Sequence, residues 1–210
     1  MVTIGITGGI GCGKSAVLRY LRENYSCVIL ETDALAKEME EPAGPLYRPV
    51  LSLLQERCSA SEAEDLVLAD RRIDTHKMAQ MIFADPGLLE QINALIHPAV
   101  IAEVQERIQK AREAEDGPEF FFVESALLIE SRLGDILDDL WYIYCPEEIR
   151  RQRLKANRGY SDEKIDSIIA AQRSEEDFRR ACAHVIDNGG TREETARSVD
   201  AVISAVRSSL

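Results

Sequence analysis

The sequence predicts an α/β fold in which a mostly parallel sheet is covered by helices on both faces. Short β-branched and aromatic runs recur along the chain and amphipathic helical stretches separate them. Several runs are apolar throughout, as strands buried on both faces are. With 210 residues and 45% hydrophobic positions, the chain can hold one core that carries a smaller insertion.

Val2 to Thr7 (VTIGIT) is the first strand candidate. Glycines interrupt it, and from Lys14 a helical pattern sets Val17, Leu18 and Leu21 on one face. Cys27 to Leu30 (CVIL) is the second strand and ends at Glu31, Thr32 and Asp33, before another helical stretch. Ligands of open α/β sheets bind at the carboxyl ends of strands, so the first loop and Asp33 are expected to face one crevice.

From Glu40 to about Pro98 the character changes. Pro42, Gly44, Pro45 and Pro49 break the chain, and helical segments follow around Val50 to Arg57 and Ile73 to Phe83. Leu, Ile, Met and Phe recur there at helical spacing, which predicts a helical insertion over 40–98. Pro98 precedes a further amphipathic helix to about Arg112, and Gly117-Pro118 stops it. A residue before proline is pushed out of helical geometry, so His97 is expected to mark a bend.

Phe120 to Val123 and Leu140 to Cys145 (LWYIYC) are the third and fourth strands. Pro146 to about Phe178 is helical and rich in arginine, Ala183 to Ile186 gives a short fifth strand, and Arg192 to Ser208 closes the chain as a helix. The expected division is a core of 1–39, 99–145 and 181–210, the insertion at 40–98 and a lid region at 146–180.

Composition narrows the function. Acidic residues outnumber basic ones, 37 to 25, and the net charge of -12 argues against nucleic acid or an anionic membrane as partner. No apolar run approaches the roughly 20 residues of a membrane span. Met1 leads directly into the first strand without a basic leader, which makes the cytoplasm the expected location. Cys12, Cys27, Cys58, Cys145 and Cys182 are scattered, as reduced thiols rather than a disulfide framework or a structural metal site. A monomer or weak homo-oligomer is expected.

Gly8, Gly13, Lys14 and Ser15 match G-x-x-x-x-G-K-[ST] between a predicted strand and a predicted helix, the pattern of a phosphate-binding P-loop. The loop Gly8, Gly9, Ile10, Gly11, Cys12, Gly13 can turn its amides toward phosphate oxygens, and the helix through Ser15 and Ala16 adds its dipole. Lys14 supplies a full charge to the β and γ phosphates, and the Ser15 hydroxyl suits Mg²⁺. Cys12 reads as a small filler of the loop rather than a reactive thiol.

Asp33 is the candidate catalytic carboxylate, to be weighed against a helix N-cap. Glu124 closes the FFFV strand and is a candidate to hold Mg²⁺ through water. Arginines after Pro146 could close over a phosphoryl group, although most suit a solvated helix face. His97 is a candidate for a structural or substrate contact.

The chain also resembles the dephospho-CoA kinase family nearly end to end. The resemblance is carried by GITGGIGCGKS at Gly5 to Ser15, TDALAKEM at Thr32 to Met39 and IFADPGLLEQINALIHP at Ile82 to Pro98. ALLIE at Ala126 to Glu130, AAQ at Ala170 to Gln172 and VIDNGG at Val185 to Gly190 continue it. It implies a nucleoside-monophosphate-kinase-like core with five parallel strands, a helical domain for the CoA precursor, and an arginine-bearing lid.

The implied activity is ATP-dependent phosphorylation of the 3'-hydroxyl of dephospho-CoA. The resemblance further implies a general base at Asp33, a lid arginine at Arg153, and adenine bound near Asn188 and Gly189. Glu31-Thr32-Asp33 stands where the family usually has Asp-Ala-Asp, and Asn157-Arg158 where Arg-Asn is more common, which displaces the second lid arginine by one position. The rival readings are a P-loop kinase for a nucleotide or nucleoside and a nucleotide-dependent switch. The guanine signature Asn-Lys-x-Asp of many switches is missing.

Overall fold

In the computed structural model, which describes residues 1–59 and 65–208, five strands form one parallel sheet. They are β1 (Val2–Thr7), β2 (Cys27–Glu31), β3 (Phe120–Glu124), β4 (Asp139–Tyr144) and β5 (His184–Asp187), in the order β2-β3-β1-β4-β5. The central strand β1 is buried along its whole length. Its register sets Ile6 beside Glu124 of β3 and Thr7 beside Tyr142 of β4, so the end of β1 emerges between their carboxyl ends.

Alternation along the strands sorts side chains to the two faces. One face brings Ile4, Ile6, Phe120, Phe122, Trp141 and Ile143 against Val17, Leu18 and Leu21 of α1 (Lys14–Asn24). Val199, Ile203 and Val206 of the closing helix, Arg192–Ser208, join the same cluster. Phe122 is fully buried, with ring centroids 5.8 Å from Phe120 and 5.4 Å from Trp141. On the other face Tyr142 stacks on Phe178 at 4.9 Å.

Contacts divide the chain into two units, Met1–Leu30 with Ile108–Leu210, and Glu31–Arg107. The second holds α2 (Thr32–Met39), α3 (Tyr47–Gln55), α4 (Thr75–Ala84) and most of α5 (Pro86–Glu113). It is thus wider than the 40–98 stretch marked by prolines and helical periodicity. The Asp74 carboxylate caps α4 by accepting from the amides of His76 and Lys77. Asp85 opens α5, accepting from the Gly87 and Leu88 amides and from Arg57 at 2.6 Å.

The helix expected to begin after Pro98 instead runs through it, so His97 lies inside α5 and not at a break between helices. An interior proline costs about 3 kcal/mol. Leu88 and Ile92 before it and Val100, Val104 and Ile108 after it form one buried stripe, each such side chain contributing about 1.5–3 kcal/mol. The four-residue spacing continues across the proline, which itself lies on the exposed side.

The arginine-rich stretch divides into α6 (Glu147–Arg158), α7 (Asp162–Ala170) and α8 (Glu175–Ala181). Gly159 at φ 62 ends α6, the Ser161 hydroxyl caps α7, and Ser174 with Asp177 makes a capping box at α8. The closing helix Arg192–Ser208 is α9. Among the described residues no helix is long and apolar enough to cross a membrane.

Truncating Phe122 to alanine is expected to cost about 3–5 kcal/mol, read by urea unfolding. A pH effect is expected from Asp138. Its burial raises the carboxyl pKa, but hydrogen bonds from the Thr3 hydroxyl and amide and the charge of Arg112 outweigh it and hold the group below its ordinary value. A depressed folded-state pKa stabilises above the unfolded value of about 4 and that stability is lost as pH falls further. Asp138→Asn should therefore lower stability at pH 7 and flatten its fall below about pH 4.

Candidate active site

The site begins with the way α1 starts. Its N-cap is Gly13, at φ 83, with no side-chain cap and no acid in the first turn. A helix begun this way has no side chain competing for its N-terminus, which favours an anion there; the Ala16 amide donates to the Gly13 carbonyl at 2.9 Å. Two loop positions admit only glycine. A Cβ at Gly8 would lie 2.6 Å from the Ile143 carbonyl oxygen, and one at Gly13 would lie 2.3 Å from Asn188 Nδ2 in a left-handed conformation.

Five of the loop's carbonyls, those of Gly8, Gly9, Ile10, Cys12 and Gly13, find donors within the protein. Lys14 Nζ donates to the Gly8 carbonyl at 2.9 Å, and the Cys12 amide donates to the Gly9 carbonyl at 3.2 Å. Arg150 Nε donates to the Ile10 carbonyl at 2.8 Å. Asn188 Nδ2 donates to the carbonyls of Cys12 at 2.7 Å and Gly13 at 3.2 Å. Arg153 spans from Cys12 O, 3.3 Å, to Asn188 O, 2.9 Å. Thr195 Oγ1 donates to Asn188 Oδ1 at 2.9 Å and fixes which way the amide faces.

Lys14 Nζ also lies 3.5 Å from the Glu124 carboxylate, which the β1–β3 register delivers to the loop. Two adjoining cavities open here. One of about 380 Å³ lies over residues 9–15 and is bounded by Arg153 and Asn157. The other, about 480 Å³, runs from Gly13, Ser15 and Ala16 toward Asn188, Gly190 and Arg192. Together they offer a compartment over the glycine loop and Lys14 and a second, larger one beyond it, a shape that suits a nucleoside triphosphate.

Cys12 is buried, and burial pushes its thiol pKa up against the charges of Lys14 and Arg150. It therefore stays protonated and fills space. None of the five cysteines is in a disulfide.

The residues Gly8 to Ala16, Glu124, Arg153, Asn188 and Gly189 all belong to the first unit. Asp33 and His97 belong to the second. Asp33 is exposed in the first turn of α2, and the N-cap there is Glu31, so Asp33 caps nothing. His97 is partly buried within α5.

Three contributors to the loop escaped the motif reading: Arg150, Gln172 and Thr195. Gln172 Oε1 accepts from the Ile10 amide at 3.1 Å across 162 residues of sequence. No local pattern marks such a partner. Arg150 was hidden among arginines that do lie on a solvated face, such as Arg151 with Glu147 and Asp166, and Arg180 with Glu176.

A glycine loop closed by lysine and serine, set between the central strand of a 2-3-1-4-5 parallel sheet and its helix, defines a P-loop phosphotransferase. The sequence matches the model of the dephospho-CoA kinase family over residues 2–194. A dephospho-CoA kinase of Geobacter metallireducens is 35% identical over 202 residues, 96% of this chain and 95% of the relative.

Among solved structures, a Thermus thermophilus protein matches with TM-score 0.77 and 30% identity over 97% of both chains. A dephospho-CoA kinase of Campylobacter jejuni shares the fold at TM-score 0.69 and 21% identity, over 97% of this chain and 96% of that one. The chain belongs to the dephospho-CoA kinase family and is a kinase with ATP as phosphate donor.

Replacing Asn188 by alanine removes the shared donor of two loop carbonyls and the acceptor of Thr195. The expected cost is about 1–3 kcal/mol of stability. Calorimetric titration should show weaker ADP binding in the same variant.

Proposed function

We propose that the chain transfers the γ-phosphoryl group of ATP to the 3'-hydroxyl of dephospho-CoA, giving coenzyme A and ADP. The observation that carries this reading is the family match across residues 2–194, and the loop chemistry supports its ATP half. The amides of the loop and Lys14 hold the phosphates. The Ser15 hydroxyl and the Glu124 carboxylate are hard oxygen donors that suit Mg²⁺, with Glu124 acting through water. Bound there, Mg²⁺ would neutralise charge on the β and γ phosphates.

Asp33 is proposed to accept the proton of the attacking hydroxyl. Its exposed carboxylate, which serves no cap, supports that role over a structural one. Arg153 lends charge to the phosphates while bracing the loop. The unit Glu31–Arg107 is proposed to receive the acceptor, with His97 in contact with it. Five cysteines outside any disulfide suit a reducing cytoplasm as the place of work.

An ADP-release assay across a panel of acceptors tests the reading. Dephospho-CoA should be turned over in preference to nucleosides and nucleoside monophosphates, and the reverse order would sink it. Asp33→Asn should lower kcat with dephospho-CoA about 10²-fold or more while ADP binding holds. Near wild-type turnover would remove Asp33 from the mechanism.

A further inference from the structure

The lid arginines differ in what accepts their hydrogen bonds. Arg151, Arg173, Arg179 and Arg180 each pair with a carboxylate, so their charge is locally cancelled. Among the described residues Arg150 meets none. Its Nε donates to the Ile10 carbonyl and Nη2 donates to the Gln172 amide oxygen at 2.9 Å. Neutral acceptors aim a guanidinium without neutralising it. Among the described residues its Nη1 has no hydrogen-bond acceptor.

Its place on the loop is equally specific. The Gly8 carbonyl holds the Lys14 amine and the Ile10 carbonyl holds Arg150, so two cations bracket Gly9. The guanidinium lies so close over Gly9 that a Cβ there would sit 2.6 Å from Nη2. Gln172, just after α7, accepts from both Arg150 and the Ile10 amide with one oxygen. That single atom ties the guanidinium to the backbone of the phosphate loop.

The geometry assigns Arg150 as the second cation of the loop, directed with Lys14 at the transferring phosphoryl group, and Gln172 as the positioning residue that aims it. Arg153 differs in its attachments, since its bonds run along the Cys12 and Asn188 carbonyls toward β5. Charge at the γ position counts most as the bond to the leaving ADP breaks, so Arg150 should act on the γ-phosphate and contribute little to ADP binding. The assignment rests on the kinase reading and not on which hydroxyl is the acceptor.

Calorimetric titration of the full chain with ADP and with a non-hydrolysable ATP analogue tests it without any acceptor. Arg150→Met should weaken the analogue about tenfold and ADP less than twofold, as expected for loss of a charge-assisted contact made only to the third phosphate. Arg150→Lys should recover part of the difference, because charge is kept and the fork is lost. In turnover, Arg150→Met should lower kcat about 10²-fold with KM for ATP changed far less.

Gln172→Leu should move the same readouts in the same direction by about threefold to tenfold. Added to Arg150→Met it should change them less than twofold further, because it acts through that side chain. Equal weakening of ADP and analogue, or unchanged analogue binding, overturns the assignment and leaves Arg150 a brace of the loop. Independent, multiplicative losses overturn the positioning role of Gln172. Failure of the wild-type chain to phosphorylate dephospho-CoA, with the analogue shift intact, overturns the acceptor reading alone.

Discussion

A loop that turns its amides toward an anion must turn its carbonyls toward the protein, and buried carbonyls need donors. That constraint organises the first unit. Gly8 is served by Lys14 of α1, Ile10 by Arg150 of α6, and Cys12 and Gly13 by Asn188 beyond β5. Each donor comes from a different element, and each element is held by the sheet or the core beneath it. The phosphate site is thus a property of the whole unit, although its motif spans only Gly8 to Ser15.

Two kinds of information were legible in the sequence to different degrees. The strand at Val2–Thr7 and the helices from Lys14 and Arg192 stand where periodicity put them, because their apolar faces meet one continuous core. The Walker-type loop was legible because its glycines answer local demands of backbone shape. The helix start expected at Pro98 was misread, since a local rule about the residue before proline lost to buried positions on both sides of it. The arginine-rich stretch after Pro146 read as one helical stretch, and its division followed from caps at Gly159, Ser161 and Ser174.

What stayed hidden was long-range and polar. Gln172 ends the AAQ segment that carries part of the resemblance, but neither it nor Thr195 stands in a pattern that marks it as a loop partner. Their contribution depends on two chain segments meeting at a distance near 3 Å, which no spacing within one segment encodes. The arginines show the same limit. Composition flagged the whole group and the family resemblance singled out Arg153, but only the identity of its acceptors separates Arg150 from neighbours paired with acids.

The bond from Asn188 to Cys12 joins residues 176 positions apart, and Thr195 fixes the same amide. Synthesis of the glycine loop precedes that of its partner by 176 residues, and domains otherwise tend to fold from the N-terminus. A nascent chain therefore carries the nucleotide motif long before it carries a nucleotide site. Because the finished loop leans on the segment through Thr195, nucleotide binding is coupled to the folded unit as a whole, and ligand stabilisation should register there.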